Sequence, residues 1–243
     1  MRIFVAGASG VIGRQLVPML VAAGHEVSGT TRRRERLASL EAMGAAPVLL
    51  DATDSAAVTR AVEEARPEVV IHQLTDLAAA SRDGYSPTVL AANARLRTMA
   101  TAHLVAAAET AGVRRVVAQS GAWLYAAGPE PHREDDPLGA SDEAGRLTLG
   151  GILALEGDVL GAHLEGVVLR YGLLYGPGTG SPTAAGRPSV HVEAAARAAL
   201  LAVEHGSSGI YNIVDDGGGV SNDRARQQLS WVPLGQGSMM EGS

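Results

Sequence analysis

The chain has 243 residues and a formal net charge of −6, with 46% apolar residues but only 3% aromatic ones. That length supports a buried core without staples, and the acidic balance argues against nucleic acid as a partner. Cysteine is absent, which excludes disulfides, thiolate metal sites and cysteine nucleophiles.

Residues 2–6 (RIFVA) read as a buried strand, and 11–23 follow at helical spacing and stop at Gly24. A second strand covers 27–31, and a short helix covers 35–43 and ends at Gly44. Residues 47–51 (PVLLD) form a third strand, and Asp54 caps a helix reaching about residue 65. A fourth strand spans 68–73 (EVVIHQ), and one long helix runs from about Pro87 to Ala111, closed by Gly112. The fifth strand is 115–120, a glycine-interrupted helix covers 143–160, and the sixth strand is 165–171. A helix near 193–204 and a strand at 210–214 complete the pattern. Residues 176–188 and 215–220 (DDGGGV) read as loops, the triple glycine as a linker, and the tail beyond Trp231 as frayed.

Strands alternating with helices imply right-handed crossovers and a doubly wound parallel α/β sheet with helices on both faces, in the order 3-2-1-4-5-6. Residues 1–175 form the dinucleotide-binding unit, and 176–243 form a shortened substrate region that adds a late helix and strand to the same unit. No apolar run approaches the roughly 18 residues of a membrane span, and the chain opens on a strand rather than a signal sequence. The expectation is a cytoplasmic protein with no membrane partner. No clustered histidines and carboxylates suggest a metal site.

The sharpest motif is Gly7-Ala8-Ser9-Gly10-Val11-Ile12-Gly13, between the first strand and the first helix. Gly7 permits the tight turn, Gly10 the approach of a pyrophosphate, and Gly13 close packing of helix on strand. The amides of Ser9, Val11 and Ile12 are placed to meet the anion. At the end of strand two, an acidic residue would hold a ribose 2′-hydroxyl. Here stand Thr31, Arg32 and Arg33, whose guanidinium forks suit a 2′-phosphate. NADP is therefore preferred, with NAD as the alternative. Asp51 and Ala52 sit where an adenine would lie, and Gln73 and Leu74 end strand four beside the expected crevice. His72 reads as a packed, hydrogen-bonded residue rather than a base.

These motifs resemble the extended short-chain dehydrogenase/reductase family, the group that includes nucleotide-sugar epimerases and dehydratases. The resemblance rests on GASGVIG, DATD at 51–54, VVIHQLT, AGVRRVVAQS, EDDPL at 134–138, LRYGLLYGPGTG at 169–180 and VHVEAAARA at 190–198. It implies a Rossmann fold, a nicotinamide dinucleotide and a small-molecule substrate. It also implies a homodimer through the long fourth helix and the helix after Glu143. Tyr171, at the end of strand six, joins the cofactor-binding set, and Tyr171 and Tyr175 are second choices as proton donors.

The family's proton relay uses a Ser or Thr after strand five, a Tyr with a Lys four residues later, and often an Asn on the fourth helix. Alignment on these patterns puts Gly121 at the hydroxyl, Ala144 at the tyrosine and Thr148 at the lysine. Arg97 falls near the asparagine, with Asn93 one turn earlier. The 20 basic residues are all arginine, so no lysine is present anywhere. An NADP-dependent oxidoreductase, epimerase or dehydratase acting on a hydroxyl or carbonyl compound would need a substitute. Tyr125 is the candidate proton donor, with Ser120 orienting a carbonyl oxygen. The alternatives are a redox-inactive dinucleotide sensor, or an isomerase, lyase or cyclase using His72, His132 or His163.

Overall fold

The computed structural model of the chain describes residues 1–75 and 86–234. Strands β1 (Arg2–Ala6), β2 (Glu26–Thr31), β3 (Ala46–Leu49), β4 (Val69–His72), β5 (Arg115–Gly121) and β6 (Glu165–Tyr171) follow one another along the chain. Two short strands, β7 (Leu173–Tyr175) and β8 (Ser189–His191), pair with each other, and β9 (Gly209–Ile213) rejoins the main sheet. The seven-stranded sheet has the order β3-β2-β1-β4-β5-β6-β9, with parallel pairing throughout. The predicted order is thus present, with one further strand beside β6. The central strands are buried on both faces (every residue of β4 is enclosed), which is why they read as continuous apolar runs.

Helices α1 (Val11–Ala22) and α2 (Leu37–Ala42) lie on one face, and α3 (Ser55–Ala65) on the other. The predicted long fourth helix is three segments: α4 (Pro87–Arg95), a π-helical turn (Leu96–Ala100) and α5 (Thr101–Thr110). The π turn adds a residue to the helical repeat and redirects side chains. Here Arg97 is carried inward, to 7% exposure. Helix α6 (Glu143–Gly161) is capped by Asp142, whose carboxylate accepts from the Gly145 amide. It shares a core with α3 and α5. Helices α7 (Val192–Leu201) and α8 (Asp223–Leu229) join α1 and α2. The buried residues Ala194, Ala195, Ala196, Ala198 and Ala199 present only methyl groups, so α7 approaches the sheet and α1 closely.

The 215–220 segment is not a free linker. The His132 amide donates to the Gly219 carbonyl, and the Ser221 amide donates to the His132 carbonyl. Val220 packs with Ala122, Val214 and Tyr125. Glycine is required at 219 by its positive φ of 75°. Trp231 is buried, with its indole N–H on the Ala194 carbonyl at 2.8 Å, while residues 235–243 of the predicted tail lie outside the described residues. No helix among the described residues is long and apolar enough to cross a membrane.

Candidate functional site

The strand order reverses between β1 and β4, and the carboxyl ends there frame the crevice where doubly wound sheets take their ligands. Gly7 leaves β1 at φ 90°. A Cβ on it would lie 2.6 Å from the Gln73 carbonyl oxygen, so the loops after β1 and β4 touch. A Cβ on Gly13 would lie 2.5 Å from the Gly7 carbonyl oxygen, and one on Gly10 would lie 3.0 Å from the same atom. The loop closes on itself, with the Gly10 amide donating to Gly7 at 2.9 Å. No side chain caps α1 at Gly10, and the first-turn amides of Val11, Ile12 and Gly13 have no intrahelical acceptor. A glycine-lined turn against an uncapped helix N-terminus fits a diphosphate. Ser9 donates to Thr31 Oγ1 at 2.9 Å and the Gly7 amide to Thr30 Oγ1 at 3.2 Å, so the end of β2 braces the loop.

Arginines line the rim. The Arg33 amide donates to Thr31 Oγ1. Arg36, in the 3-10 turn Arg34–Arg36, places Nη1 2.7 Å from the Ser9 carbonyl oxygen. Burial lowers the Arg36 basicity, and the charges of Arg33 and Arg14 lower it further. Arg14, from α1, reaches toward Gly178 beyond β7, with Nη2 2.8 Å from a Cβ built there. Arg32 follows β2 directly, and its charge is felt by Asp51. Asp51 Oδ1 accepts from the Thr53 amide at 2.9 Å and the Thr53 hydroxyl at 2.8 Å. Those bonds first, and then Arg32 and Arg95, hold its carboxyl below the usual range. Ala52 is buried and its carbonyl accepts from His103 Nδ1.

Gln73 and Tyr171 make the floor. Gln73 Nε2 donates to the buried Tyr171 hydroxyl at 3.4 Å, and Gln73 Oε1 has no partner among the described residues. The Leu74 amide donates to His72 Nδ1 at 3.1 Å, which puts the imidazole proton on Nε2, 2.9 Å from Thr101 Oγ1. Burial, with the charge of Arg97, takes His72 down from 6.5 to about 4. It is a neutral structural side chain at physiological pH. Below pH 6.5 the unfolded chain gains a proton that the folded chain refuses down to about 4, so stability falls as pH drops through that window. The expected loss is about 3 kcal/mol. Urea titrations across the window measure it, and His72→Gln should flatten the slope.

Ser120 and Tyr125 do not stand together as a donor pair. Ser120 donates to Glu156 Oε1 at 2.7 Å inside the interface of β5 with α6. Glu156 is clamped by Arg170 through Nε at 2.8 Å and Nη2 at 2.7 Å. Arg170 Nη1 donates to the Tyr125 hydroxyl at 3.0 Å, and that hydroxyl donates to Asn212 Oδ1 at 2.7 Å. Burial raises the phenol's pKa, and His132 stacks on its ring at 5.1 Å between centroids. Glu156 is pinned to Ser120, and Ile152 and Thr148 lie about one and two turns earlier along α6. Neither these nor the exposed Ala144 carries a phenol or an amine. At residue 121, the position aligned with the relay's hydroxyl, a Cβ would meet the Trp123 ring at 2.5 to 2.7 Å, so an indole fills the space a side chain there would take. Gly121 pairs with Tyr171 and shares its side of the sheet.

A further polar cluster flanks this edge. Asp215 accepts from Ser189 at 3.2 Å and hydrogen-bonds Tyr175, which packs edge-on against His191. Burial raises the Asp215 carboxyl, and burial with Asp215 pushes the Tyr175 phenol up to about 12.

The family model for the NAD dependent epimerase/dehydratase family matches residues 3–187. The chain belongs to that family. A 3-diazoavenalumate denitrifying reductase from Streptomyces sp is 44% identical over 238 residues, 89% of this chain and 76% of the relative. The UDP-glucose 4-epimerase of Thermotoga maritima, solved with UDP-glucose, superposes with a TM-score of 0.76 at 20% identity. It covers 96% of this chain and 94% of its own. The Thermus thermophilus UDP-glucose 4-epimerase in complex with NAD gives 0.69 at 25% identity, covering 96% and 85%. As a member of the NAD dependent epimerase/dehydratase family, the chain has a nicotinamide dinucleotide as its cofactor class. Sequence reasoning missed Arg14, Arg36 and Trp123. The first follows Gly13 directly, and the second lies four residues beyond Arg32. Only the third dimension shows that Trp123 folds back over Gly121.

Proposed function

We propose that this chain is a nicotinamide-dependent reductase whose acceptor is an arenediazonium, reduced with release of dinitrogen. The carrying observation is the Trp123 indole seated over Gly121, where the proton relay's hydroxyl would stand. When bound, the dinucleotide supplies a hydride. A carbonyl takes up hydride as a proton reaches its oxygen, and the chain has no lysine to tune a phenol for that task. A diazonium is already cationic. Hydride at its terminal nitrogen leaves a neutral diazene, which decomposes to the arene and N2 with no proton from the protein. The indole offers a flat π face to such a planar cation. The similarity to a relative named as a denitrifying reductase of a diazo compound supports the same reading.

In this reading Ser120 and Tyr125 position the carboxyl ends of β5 and β6 through Glu156 and Arg170, instead of moving protons. NADP is the preferred dinucleotide, because the charges of Arg33 and Arg14 bear on Arg36 and a 2′-phosphate there would offset them. Residues 1–175 hold the dinucleotide, and 176–243 complete the substrate side. The exposed Leu153 and Leu160 on α6 suit pairing with a second copy. The setting is cytoplasmic.

The test is anaerobic incubation of the purified chain with a cinnamate-type arenediazonium and NADPH or NADH. One N2 should appear for each nicotinamide oxidised, faster with NADPH. Arg36→Ala should raise KM for NADPH about tenfold and leave NADH little changed, the loss of one charge-assisted bond. Binding without N2 release would overturn the reductase and favour a sensor. Equal changes for the two cofactors would overturn the phosphate role.

A further inference from the structure

The described buried charges other than Arg97 have partners. Arg115 donates to the Ala202 and His205 carbonyls, Arg170 to Glu156, and Glu134 accepts from the Asn212 amide. Arg97 is 7% exposed and has no hydrogen bond or ion pair among the described residues. An unpaired buried guanidinium is costly, and each such exception needs a reason. The π turn that carries it inward is the kind of local distortion that marks functional positions. It packs against α6 where Gly151 leaves room, its Cδ 3.4 Å from a Cβ built there. It also lies close enough to His72, at the end of β4, to depress that imidazole. The side chain therefore lies against α6, within electrostatic reach of His72 at the carboxyl end of β4.

We propose that Arg97 is a substrate-binding residue that receives the carboxylate of an aromatic acid. The fork geometry matches a carboxylate through two parallel N–H bonds. This deepens the reductase reading and rests on it for the aromatic half of the ligand. Trp123 would hold the ring and Arg97 the acid group.

The test compares cinnamate and methyl cinnamate binding to the NADP-loaded protein by calorimetry, for wild type and Arg97→Met, with thermal unfolding of both proteins without the probes. Cinnamate should bind wild type, and Arg97→Met should weaken it roughly 10- to 100-fold. The ester should bind both proteins equally. The free Arg97→Met protein should unfold no earlier than wild type, since an unpaired buried cation has been replaced by an apolar side chain. Cinnamate affinity that is absent in wild type or unchanged in the variant would overturn the proposal. So would a marked drop in Tm for Arg97→Met, which would make the guanidinium structural. None of these readouts depends on diazonium turnover, so this assignment and the reductase reading can fail separately.

Discussion

Glu156→Ala should lower the stability of the fold by about 3–5 kcal/mol, the usual cost of stranding one partner of a buried ion pair. Glu156 and Arg170 are 6% and 5% exposed at their side chains and meet through two bonds of 2.7 to 2.8 Å. Burial works against the Arg170 charge, but the bonds and charge of Glu156 hold it more firmly protonated than a free arginine. Without the carboxylate, among the described residues that charge keeps hydrogen bonds only to the Tyr125 hydroxyl and the Glu134 carbonyl. Ser120 loses its acceptor at the same time. The double variant Glu156→Leu with Arg170→Met should recover most of the loss, because an apolar pair of similar volume carries no desolvation cost. Denaturant unfolding of the two variants measures both effects. A double variant no more stable than the single one would show that Arg170 matters mainly through Tyr125.

Gly13→Val should reduce dinucleotide affinity at least about a hundredfold while leaving the far-ultraviolet circular dichroism of the sheet intact. The branched side chain would drive into the carbonyl oxygens of Gly7 and Ala8. The loop must then move away from α1, and its amides with it. Losing two charge-assisted bonds to a diphosphate costs roughly 3–6 kcal/mol, which sets the fold-change. Titration calorimetry with NADP and NAD gives the answer. Unchanged affinity for both would place the dinucleotide elsewhere.

The sheet was legible because its strands are written as apolar runs and its crossovers obey one handedness. The glycine loop was legible because backbone compression leaves its mark as residue type. Other features depend on contacts between distant segments. Nothing local in LRTMA at 96–100 distinguishes a π turn from an α turn, and the approach of Arg97 to Gly151 on α6 joins segments far apart in the chain. The triple glycine looked like a linker because glycine lowers local order by itself, yet the backbone of His132 pairs with it on both sides. Tyr125 looked like a proton donor from its distance beyond β5. Its occupation by Arg170 and Asn212 depends on two other strands brought alongside.

The stitching of 219–221 to His132 also constrains how the crevice can open. The segment carrying Tyr125 and the glycine loop after β9 are joined by backbone bonds and by the packing of Val220 on Ala122 and Val214. They are tied into one panel, so any displacement of the chain around Tyr125 has to carry the glycine loop after β9 with it.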